Sequence, residues 1–169
     1  MRSETQRRGW LPHHGLGYRP DVRPPGPIEF QTELPASVES PRAARRLVRE
    51  QLGGLGVDTE GESAQAAVLV ASEMMTNAVV HACEPIRIEI DLRQDGVLRL
   101  AVFDGDPGYV PERTWPAPGE VGGWGVELVR LLSDSWGFGP RTDGVDGKEV
   151  WAEFDLDRAA ARYVGRDPV

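Results

Sequence analysis

The chain has 169 residues, 40% of them hydrophobic, and a formal net charge of −8. That length makes one domain with a single core, and no apolar run approaches the roughly 20 residues that cross a bilayer. A lone cysteine, Cys83, excludes an intramolecular disulfide and a cysteine zinc cluster, and without a secretory signal a cytoplasmic protein is expected.

Charge is unevenly spread. Residues 1–26 carry five arginines against Glu4 and Asp21, a net of +3, which leaves −11 for the rest. An acidic folded part disfavours direct nucleic-acid binding, where basic stripes supply most of the affinity. A basic partner, or a ligand that brings its own cation, fits better.

Residues 1–27 are rich in Arg, Gly, Pro and His and read as a disordered arm. The expected domain runs from 28 to 157, with 158–169 as a tail. Ile28 to Leu34 alternates and ends at Pro35, a first strand. Ser37 or Ser40 is placed to cap a helix that carries Pro41 in its first turn and Ala43, Ala44, Leu47, Val48 and Leu52 on its inner side. Gly53, Gly54 and Gly56 stop it. A second helix is expected from Glu62 to Cys83, ended by Pro85. Arg87–Arg93 and Val97–Asp104 alternate and are joined by Gln94-Asp95-Gly96, a hairpin. The stretch from Gly105 to Gly123 has no periodicity and the length of a lid or binding loop. Helical spacing resumes over Gly125–Leu132, and Ser135–Phe138 with Lys148–Leu156 reads as another strand pair. Helices followed by paired strands, without βαβ regularity, give a two-layer α/β sandwich with mainly antiparallel pairing.

The second helix holds the most informative residues. Glu73, Asn77 and His81 recur every four positions in an apolar segment, so they stack on one helix face, each about 40° further round than the last. A polar ridge among apolar neighbours needs partners or a ligand. Two further features join it: Asp104 at a strand end before Gly-Asp-Pro-Gly, and Gly122, Gly123 and Gly125 just before a helix. A glycine-rich turn that opens a helix presents free backbone N–H groups to an anion.

Together these motifs resemble the GHKL, or Bergerat-fold, ATPase superfamily. E-M-M-T-N-A-V-V-H-A is similar to its N box, D-G-D-P-G to its D-x-G-x-G box, G-W-G-V-E-L-V to its second glycine box, and G-K-E-V-W-A-E-F to its terminal strand. The short form resembles the anti-sigma serine/threonine kinases of high-GC Gram-positive bacteria. The resemblance implies a mainly antiparallel, mixed sheet with helices on one face and binding of ATP with Mg2+. It implies Asn77 as metal ligand, Glu73 as the catalytic base, and Asp104 as acceptor for the adenine amine. Gly108, Gly123 and Gly125 would receive base and phosphates, and residues 109–122 would form the lid. Lys148 would reach phosphate, or stand solvated at a strand start, and His81 would bond at the helix end. The implied partners are a sigma factor and an anti-anti-sigma protein, and such proteins are commonly homodimers.

Two departures motivate a rival. Asp106 stands where the family usually has the first glycine of its box, and Glu149 where a threonine is common. Both suit a non-catalytic regulator of the same fold that binds partners with weak or no ATP turnover.

Overall fold

Strand alternation decides which side of the sheet is covered. Ile86, Ile88 and Ile90, then Leu98, Leu100 and Val102, fall on alternate positions of adjoining strands and are all 0–1% exposed. Of the residues in between, Arg87, Glu89 and Arg99 are charged, so one face is apolar and must be covered. The computed structural model describes residues 30–81, 84–93, 95–107, 125–141 and 143–156. Its elements run β1 (Phe30–Leu34), α1 (Ser40–Gly54), α2 (Glu62–His81), β2 (Ile86–Leu92), β3 (Val97–Asp104), α3 (Gly125–Leu132), β4 (Ser135–Pro140) and β5 (Lys148–Asp155). The five strands form one sheet in the order β1-β2-β3-β5-β4. The sheet, expected as mainly antiparallel and mixed, is antiparallel in every described pairing.

The helices cover the apolar face. In α1 the fully buried residues Ala44, Val48 and Leu52 recur every four positions, one narrow stripe facing inward. Burying each Val or Leu stabilises the fold by about 1.5–3 kcal/mol before chain entropy is counted. The α2 helix is apolar on most sides, because α1, the sheet and α3 all pack on it; Ala67, Val70, Ala71 and Met75 are fully buried. A helix hydrophobic all round belongs in the interior, not on the surface. No helix of the described residues is long and apolar enough to cross a membrane.

Local signals differ from expectation at α1. Neither serine caps it: Glu39 occupies the cap position without a side-chain bond, and Ser40 is the first helical residue. The Ser40 hydroxyl instead donates backwards to the Pro35 carbonyl at 2.7 Å, tying the helix start to the end of β1. The helix persists through Gly53 and Gly54 and turns away at Gly56, where φ is +79°, a conformation glycine adopts without a Cβ penalty.

The outward face of the sheet is a half-buried charge grid. Arg99 lies over the Trp151 ring at 4.6 Å and pairs with Glu149 at 2.6 Å. Arg87 lies over Phe103 at 4.3 Å and pairs with Glu89 at 3.0 Å and Asp143 at 3.1 Å. Cross-strand register sets these neighbours: Arg99 faces Glu153, and Phe103 faces Glu149.

The arm 1–27, Cys83, Gln94, Gly108, the lid and Gly123 lie outside the described residues, as does the tail.

Candidate functional site

On α2 the four-residue spacing brings Glu73 and Asn77 to one flank, and α3 begins directly opposite. A Cβ built on Gly125, the first residue of α3, would stand 3.2 Å from both amide atoms of Asn77 and 3.3 Å from Glu73 Oε2. A helix start therefore abuts an acid and a carboxamide at a distance that only a bare Cα permits without a shift. His81, the third member of the ridge, is exposed at the end of α2 and does not line the adjoining cavity.

That cavity lies in the seam between α2, α3 and the sheet. Met74, Asn77 and Ala78 line it from α2, Val126 and Val129 from α3, and Val102, Asp104, Trp136, Lys148 and Val150 from the strands. Its walls are mostly apolar, with three polar residues. It encloses about 20 Å3 of free space, room for about one water and far below the roughly 300–1,000 Å3 of ligand clefts.

Asp104 reaches the cavity through strand parity. Leu98, Leu100, Val102 and Asp104 occupy one face of β3, so the fourth position puts a carboxylate where the others put core. Register then pairs Asp104 with Lys148, the first residue of β5, on the same face. The two are 1% and 5% exposed, and Lys148 Nζ donates to Asp104 Oδ1 at 2.8 Å and to the Asp106 carbonyl at 3.4 Å. The Asp106 N–H donates to that same Oδ1 at 3.0 Å. Among the described residues Asp104 Oδ2 takes no bond. A buried ion pair of this kind stands only because its geometry and added hydrogen bonds offset desolvation.

One sequence reading is corrected and one departure is located. Lys148 is not solvated at the strand start; its ammonium is bonded inside the fold. Glu149, which stands where a threonine is common, lies on the outward face with Arg99. Parity forces this: if Lys148 and Val150 line the cavity, the residue between them faces away. Trp136 and Met74, which sequence reasoning did not single out, form cavity walls. Asp106 is partly exposed, and its backbone N–H serves Asp104.

In α3, Glu127 is 9% exposed and is gripped by Arg130 one turn later, with Nη2 at 2.6 Å and Nε at 3.1 Å from its carboxylate. This pair holds the helix that carries Gly125 and Val129.

A family model described as the histidine kinase-like ATPase domain matches residues 34–154, a span that includes Glu73, Asn77, Asp104, Gly125 and Lys148. Among solved structures, the chain is similar to the RsbU and RsbW domains of Rv1364c from Mycobacterium tuberculosis. The identity is 22%, the TM-score 0.53, and the match covers 73% of this chain and 31% of that one. It is also similar to the histidine kinase domain of the blue-light activated histidine kinase from Erythrobacter litoralis EL346. There the identity is 23% and the TM-score 0.46, over 63% of this chain and 50% of that one. The chain thus spans about a third and about half of those two structures' lengths. No curated protein matches it.

Proposed function

The chain belongs to the histidine kinase-like ATPase family, and from that premise we propose that it is an ATP- and Mg2+-dependent serine/threonine protein kinase of the anti-sigma type. It phosphorylates an anti-anti-sigma antagonist and binds a sigma factor, and phosphorylation of the antagonist leaves the kinase free to hold the sigma factor. The motif resemblance is what supports these partners, and a homodimer accords with it.

The observation that carries the enzymatic reading is the packing of Glu73 and Asn77 against the first residue of α3, beside a cavity that holds a buried aspartate. Asn77 fits a magnesium ion that keeps several waters: its carbonyl oxygen is a hard, neutral ligand, and the phosphates supply others. Bound with the nucleotide, the metal would neutralise charge developing on the transferred group. Glu73, one turn before Asn77, takes the proton from the attacking hydroxyl onto its carboxylate. The α3 backbone N–H groups that begin at Gly125 face the anion. Asp104 accepts an N–H from the base.

Calorimetric titration with ATP and Mg2+ tests this. Asn77→Ala should abolish metal-dependent binding. Glu73→Ala should bind nucleotide yet lose transfer from labelled ATP to an antagonist by about 100-fold or more. Unchanged affinity in the first variant, or full transfer in the second, would remove the assignment. A non-catalytic regulator of the same fold is the second reading, and the small volume of the cavity favours it; absence of both ATP binding and transfer in the unaltered protein selects it.

A further inference from the structure

Lys148 and Asp104 form a buried ion pair inside the candidate cavity, and the arrangement is one-sided. Both bonds to the aspartate, from the Lys148 ammonium at 2.8 Å and from the Asp106 N–H at 3.0 Å, fall on Oδ1. The carboxylate is 1% exposed and lines the cavity together with Lys148. The start of β5 is also drawn close to it. Gly147 has φ of +137°, and a Cβ there would run into the Asp104 carbonyl oxygen. The chain thus brings an ammonium down onto one oxygen of one aspartate.

We propose that Lys148 is a positioning residue for nucleobase selection: it clamps Oδ1 and leaves Oδ2 as a fixed acceptor for an amino group. This rests on the nucleotide reading given above. An ionised carboxylate only accepts hydrogen bonds. A clamped one therefore accepts the 6-amino group of adenine and repels the 6-carbonyl oxygen of guanine. Without the ammonium, only the Asp106 N–H holds the carboxylate, so the group is free to turn about its bond and Oδ2 is no longer a fixed acceptor. Discrimination at such a site follows from leaving buried polar groups unpaired with the wrong ligand.

Equilibrium titration with adenosine, ATP and GTP tests the inference on the full chain, with Lys148→Met as the near-isosteric neutral variant. The unaltered protein should prefer ATP over GTP by about 100-fold or more. In Lys148→Met that preference should fall at least about tenfold. Adenosine affinity should fall by the same factor as ATP affinity, because the lysine acts on the base and not on the phosphates. A loss confined to ATP, with adenosine unchanged, would make Lys148 a phosphate contact and overturn the proposal. Retention of the full ATP preference in Lys148→Met would overturn it too.

A second variant separates positioning from folding. Lys148→Met combined with Asp104→Asn removes both charges; it should recover the thermal midpoint lost in the single variant while the ATP preference stays lost. Recovery of both would mean that the pair is only structural. If the unaltered protein binds neither adenosine nor ATP, the nucleotide reading itself fails, an outcome distinct from any in which the wild type binds and the variants do not differ.

Discussion

Gly125 touches Asn77 across the seam between α3 and α2, and the contact leaves no room for a methyl group unless the amide gives way: an added Cβ would be 3.2 Å from Nδ2 and from Oδ1. Alanine favours a helix over glycine by about 1 kcal/mol, so Gly125→Ala should leave stability unchanged or slightly raised. The same methyl must push Asn77 and Glu73 by a few tenths of an ångström. Metal-dependent ATP affinity should therefore fall by about tenfold while the urea midpoint holds. A variant with wild-type affinity would show that neither side chain is placed with care.

Met75 offers the contrast, two residues along the same helix from Glu73 and fully buried on the core side. Met75→Ala should cost about 2–5 kcal/mol by equilibrium unfolding, the usual range for a large core side chain replaced by alanine. Nucleotide affinity of the folded fraction should change little. A loss of affinity without a loss of stability would place Met75 in the site.

At Gly147, two constraints coincide: a φ of +137° and a blocked Cβ position against the Asp104 carbonyl oxygen. Alanine there should cost more than about 2 kcal/mol, since strain at a special backbone position adds to overpacking. The loss should be read by denaturant titration. A neutral result would mean that the start of β5 moves without consequence, and that its hold on Asp104 is loose.

The outward charge grid sets the acid response. Arg141, hydrogen-bonded to Asp143, holds that carboxyl well below its ordinary value of 3.8. The stability it supplies is thus fully present above about pH 3.8 and is lost as pH falls toward the depressed value. Burial pushes Glu89 above its ordinary 4.5, against the pull of Arg87. Here the folded state keeps its proton longer than the unfolded chain, so stability declines as pH rises from 4.5 toward the raised value. The two groups together place their joint optimum between 3.8 and 4.5. Asp143→Asn should flatten the acid limb, and Glu89→Gln should flatten the decline above pH 4.5, each by about 1 kcal/mol or less because both pairs are partly screened. Unfolding midpoints measured across pH 2.5–7, in about half-unit steps, check both slopes.

Much of this architecture is legible along the chain because it follows local periods. The four-residue spacing of Glu73 and Asn77 puts both on one flank wherever α2 packs, and two-residue alternation carries Asp104 inward. The partner of Asp104 is not legible in this way. Its ion pair with Lys148 depends on the register of β3 with β5, and 44 residues separate the two; no local period spans them. Family position marks Glu149 only as a replaced threonine, whereas parity from Lys148 turns it outward. Trp136 is missed for a related reason: in Ser-Trp-Gly-Phe-Gly nothing local says which alternate side meets the helices. The capping expectation at Ser40 fails because the hydroxyl has a better acceptor behind it, the Pro35 carbonyl.

Val102, Val129 and Val150 form walls of the cavity, and the first two are 1% and 2% exposed. The recess therefore reaches into the hydrophobic interior. A ligand that binds the folded chain beside it and not the unfolded chain stabilises the fold, so occupancy and melting temperature must rise together. At a ligand concentration of one hundred times its dissociation constant, this linkage amounts to about 2.7 kcal/mol. A thermal scan alone, with no assay of transfer, will thus rank ligands for this protein.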